Sequence, residues 1–453
     1  MEKGLSSSSN SCCFYRDWRR DYPVAERGDG IYLFDKNGKK YLDGSGGPCV
    51  VNIGHGVKEI IQAIKDQLDK VCFPFGGHFS SESQIELAQR VIGLSPKGMV
   101  KAYFLSGGSE AMETAIKVVR QYHVEKGDLS RTIFITRWKS YHGATLGSLA
   151  LSGHTKRRED YLPYLLDFPH IHPPYCYRCD WGKSYPDCAL TCAYELERVV
   201  QKYGPNHIAA FIAEPVIGNS AGAVVPPKEY FPIIRSICNR YGILLVADEI
   251  ITGFGRTGRN FGVDHWDISP DVMIMGKGIS SGYMPLAGVV ISENIWDVFE
   301  RSKRSSFFTG YTFSGHPLAC SAGVAVLKYM EEKNLVERSR KLGDYLLEKA
   351  KKLEHLDCVG EVRGLGLFVG IEFVRNKETK DPFERDHHFI EKITSECFKK
   401  GLILMGGSGG ANGKDGDHIV IAPPFIISEA EIDQIIQILE NSILKVISKT
   451  QEQ

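Results

Sequence analysis

A chain of 453 residues, 43% hydrophobic and 24% charged, can bury a large core, and at usual domain sizes it spans about two or three domains. Its 55 basic and 55 acidic side chains cancel to zero net charge, which argues against a nucleic-acid or anionic-membrane partner and leaves small-molecule chemistry. No run reaches the roughly 18 apolar residues of a membrane span, and the start MEKGLSSSSNSCCFYRDWRR lacks a signal-peptide core, so a cytoplasmic chain with reduced thiols is expected.

In chain order, residues 6–9 are a serine run, and residues 30–42 read as two short strands joined at Asn37-Gly38, a dipeptide suited to a hairpin turn. Apolar runs at 100–105, 132–136, 208–213, 243–247, 272–275 and 286–291 then alternate with helix-like segments. Near-continuous Val, Ile, Leu and Phe runs mark strands covered on both faces. The expected fold class is therefore α/β, with a mostly parallel central sheet flanked by helices. Further on, two amphipathic helical stretches bracket apolar segments at 362–373 and 419–421. The expected division is an N-terminal segment 1–75, a large domain 76–325 and a C-terminal part 326–453, the two ends together forming a smaller α+β domain. A glycine-rich stretch at 406–416 is long enough to be mobile.

Four pieces of this pattern carry chemistry. The run ending Tyr103-Phe104-Leu105 enters Ser106-Gly107-Gly108-Ser109-Glu110-Ala111, and Ala111, Ala115, Val119 and Tyr122 then share a helical face. Strand, glycine turn and helix start make an anion site, because free N–H groups and the helix dipole meet there. Tyr141-His142-Gly143 follows the next strand and offers an aromatic face for a flat ring. Asp248-Glu249 ends the strand Gly242-Ile243-Leu244-Leu245-Val246-Ala247, on the edge where open α/β sheets bind ligands, and such a carboxylate can keep a pyridine nitrogen protonated. Lys277 ends Val272-Met273-Ile274-Met275-Gly276, where burial would free an amine to attack a carbonyl. Each alone has an ordinary reading: a tight turn, a core aromatic, a helix cap or Arg256 ion pair, a solvated turn lysine. Their order and spacing change the balance.

Together with Leu42-Asp43-Gly44, Ala213-Glu214-Pro215, DEIITGFGRTG at 248–258, MGKGISS at 275–281, YTFSGHP at 311–317, Arg363-Gly364-Leu365-Gly366-Leu367 and Ala422-Pro423-Pro424, the chain resembles the class III, or omega, aminotransferases of pyridoxal-phosphate fold type I. The resemblance covers nearly the whole chain in the family's order. It implies pyridoxal 5'-phosphate as cofactor. Lys277 would condense with its aldehyde and shuttle a proton, Asp248 would pair with the ring nitrogen, and Tyr141 and Ile250 would sandwich the ring. Gly108 and Ser109, joined by the partner subunit's Thr312, would hold the phosphate, while His142 and Glu214 complete the cofactor contacts. A homodimer, or a tetramer built from dimers, follows from that shared site.

Two departures bear on substrate. Glutamate- and ornithine-using members carry an arginine two residues before Ala-Pro-Pro, where this chain has Val420; amine:pyruvate members place a mobile arginine just upstream, yet no arginine follows Arg385. Arginine is the usual bidentate carboxylate ligand, so its absence favours a primary amine or omega-amino acid as donor and pyruvate as the 2-oxo acid acceptor, in a ping-pong cycle. Arg157, Arg158, Lys414 or glycine-loop N–H groups would then hold the acceptor carboxylate, and Glu214 loses the arginine it pairs with in glutamate-using relatives. Alternatives on the same residues are decarboxylating transamination, an aminomutase or a phospho-lyase, and, in another class, a non-catalytic binding relative. Cys176-x2-Cys179-x8-Cys188-x3-Cys192, preceded by His170 and His172, has four thiols that could hold a structural zinc. The gap of eight is short for a zinc ribbon, the plainer reading is free cysteines on an insertion, and no metal is assigned.

Overall fold

The computed structural model describes residues 12–18 and 20–451, so the serine run at 6–9 lies outside the described residues. Its strands are β1 (Ala25–Asp29), β2 (Tyr32–Asp35), β3 (Lys40–Asp43), β4 (Met99–Leu105), β5 (Ile133–Arg137), β6 (His170–Ile171), β7 (Ile208–Ala213) and β8 (Leu244–Asp248). They continue with β9 (Val272–Met275), β10 (Ala287–Ser292), β11 (Val359–Gly364), β12 (Val369–Phe373), β13 (Leu402–Ile403), β14 (Met405–Gly407) and β15 (His418–Ile421).

Seven strands form the central sheet in the order β4-β10-β9-β8-β7-β5-β6, and only β10 runs antiparallel to its neighbours. Every residue of β7, β8 and β9 is buried, as near-continuous apolar strands between two helical layers require. The helix Gly108–Glu125 covers β9 and β10, burying Ala111, Ala115 and Val119, and the helices Thr191–Tyr203 and Tyr230–Tyr241 pack together. Elsewhere the helix Glu82–Leu94 starts where the Ser81 hydroxyl accepts the Gln84 N–H at 3.2 Å, and it packs on Pro317–Glu332.

The expected hairpin is β2 and β3, antiparallel across the Asn37-Gly38 turn, with β1 beside β2. On its other edge β3 pairs in parallel with β13, Leu42 opposite Leu402. The segment expected as one run at 362–373 is instead two antiparallel strands, β11 and β12, folded at Leu365, whose N–H reaches the Phe368 carbonyl at 3.1 Å. With β15 and β14 they make a third sheet. β6 carries two residues, too few to leave a pattern. The glycine-rich stretch is folded on itself, Gly410 N–H to Gly416 O at 3.1 Å and Ala411 N–H to Asp415 O at 2.9 Å. Among the described residues no helix is long and apolar enough to cross a membrane.

Candidate active site

The carboxyl ends of β4, β5, β7, β8 and β9 share one edge of the central sheet, and each delivers one piece of the site. Lys277 leaves β9 with φ 45°, a left-handed conformation that a side chain normally avoids, so the backbone holds strain where the amine projects. Burial pushes its pKa down, against the pull of Cys49, Asp248 and Glu214. A lysine in that setting is a better nucleophile than a solvated one.

Asp248 is buried at the end of β8, and its Oδ2 lies 2.7 Å from His142 Nδ1. An ionised Asp248 accepts from Nδ1–H, which leaves His142 Nε2 to accept the Thr136 hydroxyl at 3.2 Å. The His142 backbone N–H donates to Ser152 Oγ at 2.8 Å, and the Ile250 N–H donates to Asp248 Oδ1 at 3.1 Å. The carboxylate therefore has neither of its ordinary roles: it caps no helix, and Arg256 turns instead to Asn52 Oδ1 (2.6 Å) and to the Leu367 and Pro423 carbonyls. Its neighbour Glu249 takes the structural part, accepting from Thr252 and from the Gly262 and Val263 N–H groups, with burial pushing its pKa up to about 7.

Beside this pair the first turn of Gly108–Glu125 opens toward the sheet edge, leaving the N–H groups that a helix start cannot satisfy internally. A Cβ at Gly108 would meet Ile250 Cδ1 at 3.0 Å, and one at Gly276 would meet it at 2.8 Å, so both glycines give way to Ile250. Ser109 Oγ accepts the Ala144 N–H at 3.0 Å, tying the helix start to the loop that carries Tyr141 and His142. Glu214 is buried after β7; its Oε1 accepts the Gly218 N–H at 3.0 Å, its Oε2 has no partner, and burial raises its pKa. Thr312 is exposed on the turn after Tyr311. Arg137 was not singled out from the sequence: it is fully buried at the end of β5, donates to the Glu214 carbonyl at 2.5 Å, and leaves Nε and Nη1 unpartnered. An arginine closing a strand that opens Ile133-Phe134-Ile135 was its only signal.

Of the basic candidates, the Arg157 guanidinium stands 4.7 Å over the Tyr141 ring. Arg158 is buried against His170 (3.3 Å) and Trp138, and Lys414 is exposed on the glycine loop. Val420 is fully buried in β15. The four clustered cysteines are free thiols, and burial pushes Cys176 up to about 11 and Cys192 up to about 12. Among the described residues no group of His, Cys, Asp and Glu side chains is arranged to hold a metal ion. Their segment is pinned instead by Tyr175 and Arg178, which both reach the buried Glu372 of β12.

A buried lysine with a lowered pKa, a carboxylate fixed by an imidazole, and a glycine-opened helix start suit a flat aldehyde bearing a phosphate. A family model, aminotransferase class-III, matches residues 15–443. The chain belongs to the class-III aminotransferases. It is 34% identical to the putrescine–pyruvate aminotransferase of Pseudomonas aeruginosa, over 91% of this chain and 88% of that one. Among solved structures it superposes on an (S)-enantioselective omega-transaminase from Thermomicrobium roseum with a TM-score of 0.90 and 37% identity, covering 97% of each chain. It also superposes on an omega-transaminase from Pseudomonas jessenii in complex with PMP, with a TM-score of 0.91, 31% identity, and 98% and 97% of the two chains covered. The protein is thus a transaminase of the pyridoxal-phosphate fold type I, dependent on pyridoxal 5'-phosphate.

Proposed function

We propose that this aminotransferase moves an amino group from a primary amine or omega-amino acid to pyruvate. The observation that carries this reading is the placement of Arg157 over Tyr141 together with the fully buried Val420. At Val420 no guanidinium stands to demand a donor carboxylate, while that of the exposed Arg157 remains to bind an acceptor's. The likeness to a putrescine–pyruvate aminotransferase supports the same pair of substrates.

When bound, the cofactor supplies an aldehyde and a protonated ring that draws electrons from the substrate carbon. Lys277 Nζ would serve as the nucleophile for that aldehyde and would carry the proton between the two reacting carbons. Asp248 holds a negative charge for the ring nitrogen's proton, and His142 and the Ile250 N–H keep its oxygens from turning away. Tyr141 and Ile250 would flank the ring. Gly108 and Ser109 would present helix-start N–H groups to the phosphate, joined by the partner subunit's Thr312. Glu214 is a buried carboxyl whose Oε2 has no partner, and it would line the donor side.

A homodimer, or a tetramer of dimers, in the cytoplasm completes the reading. The exposed Phe73, Phe75, Phe79, Phe308 and Phe313 support it as apolar surface for a second copy to cover. The test is a panel of amine donors with pyruvate and with 2-oxoglutarate, run on the purified yellow protein beside Lys277→Ala. Alanine formed from uncharged amines by the wild type alone supports the proposal. Turnover only with 2-oxoglutarate, or release of CO2 or phosphate without alanine, overturns it.

A further inference from the structure

Next to the active site lies a second cavity, of about 220 Å³, roofed by the glycine loop and lined by Trp138, Lys139, His154, Asp180, Ser220 and Asn412 among others. Lys139 sits two residues before Tyr141 with φ 59°, its N–H donates to the Gly153 carbonyl at 3.0 Å, and its side chain lines the cavity. Among the described residues no carboxylate comes within ion-pair distance of its amine, which lies 5.2 Å from the Tyr175 ring centre. The nearest buried acid, Glu372, is already engaged by Tyr175, Arg178 and, at 2.9 Å, Arg363. Asp180, the other acid in range, is exposed at the mouth.

Two more polar groups on this wall are unmatched. Ser220 Oγ, in a residue only 5% exposed, and His154 Nδ1 are both buried without a hydrogen-bond partner. A buried hydroxyl left without a partner is destabilising unless a ligand or water completes it. Burial also lowers the Lys139 pKa, so an anion beside the amine would relieve two penalties at once. One cation, with an acid at the entrance, suits a single negative charge better than a double one.

We infer that this cavity is a subsite for a carboxylate monoanion, with Lys139 as counter-charge and Ser220 and His154 as hydrogen-bond partners. It rests on the proposed function and deepens it, because the segments that line the cavity run on into the site: Lys139 stands two residues before Tyr141, and Ser220 follows the turn in which Glu214 accepts the Gly218 N–H. The carboxylate comes either from the far end of an omega-amino acid donor or from a free short acid.

The experiment compares holoenzymes of the wild type, Lys139→Met and Lys139→Arg. Donors are 5-aminopentanoate and the uncharged 1-aminobutane, each with pyruvate, and thermal unfolding is followed with and without propionate. If the donor supplies the carboxylate, Lys139→Met raises the KM for 5-aminopentanoate by about tenfold or more, leaves 1-aminobutane within about twofold, and Lys139→Arg restores most of the loss. If a free acid is the ligand, both donors keep their KM and the stabilisation by propionate disappears in Lys139→Met. Equal loss for both donors, or no change in either measurement, overturns the inference. Ser220→Ala gives the same comparison with a smaller effect if Lys139→Met does not fold. A wild type inactive with both amines would sink the proposed substrates, while the propionate comparison would still read the subsite.

Discussion

The floor of the site and its mouth are built on opposite terms. On the floor, Asp248, His142, Thr136 and Ser152 satisfy one another, and Glu249 is held by a hydroxyl and two N–H groups. At the mouth, Arg157 rests on a ring, Lys139 lacks an ion pair, and Ser220 and His154 have unmatched atoms. Matched groups fix a geometry that must not move during proton transfer, whereas unmatched groups keep binding energy in reserve for a ligand. Chemistry shared across the family belongs to the first kind of region, and substrate choice to the second.

The contrast can be broken most sharply at Lys277. Lys277→Ala should lose about 10⁴-fold or more of turnover and the absorbance of the bound cofactor's lysine adduct, read in single-turnover kinetics and a visible spectrum. A residual rate within tenfold of the wild type would displace Lys277 from its role. Asp248→Asn should cost about 10²- to 10³-fold in kcat while cofactor retention changes little, because it removes a charge and not a binding contact. Spectral titration with added cofactor separates the two effects, and an enzyme that simply loses cofactor would contradict the assignment.

At the mouth, Arg157→Leu should raise the KM for pyruvate by about ten- to a hundredfold with a smaller change in kcat. Unchanged KM would hand the acceptor carboxylate to the glycine loop. The smallest effect concerns stability. Burial holds His418, and likewise His170, neutral in the fold with pKa values near 4. Below pH 6.5 the unfolded chain takes up protons that the folded chain refuses until about pH 4. The contribution of these two histidines is thus full above pH 6.5, and at His418 it falls by about 1.4 kcal/mol per pH unit as the medium is acidified. The gap between melting curves at pH 5 and pH 7 should narrow in His418→Gln; an unaltered gap would mean that other groups set the acid limit.

The floor was legible in the sequence because each of its parts is local. A strand, a glycine turn and a helix start are contiguous at residues 99–125, and the ends of β8 and β9 announce Asp248 and Lys277 by the polar residue that closes an apolar run. The bond between His142 and Asp248 was not legible, since it joins residues 106 apart across two strand ends. The second cavity was hidden for the same reason: Lys139, Ser220 and Asn412 come from three separate stretches, and an unmatched hydroxyl has no sequence signature. Residues 362–373 read as one segment because apolar residues continue through the tight turn at Leu365, concealing the reversal. Arg157, Arg158 and Lys414 were equivalent as letters, and only packing against Tyr141 separates the first from the others.

The parallel pairing of β3 with β13 also governs how the molecule comes into being. Leu42 leaves the ribosome long before Leu402, so for most of synthesis one edge of the first sheet exposes unpaired amides and carbonyls. A nascent chain stopped short of residue 402 would keep that edge sticky even with its cofactor-binding core complete. Such truncated chains should therefore aggregate by strand addition, and a peptide carrying residues 398–408 supplied in trans should delay it.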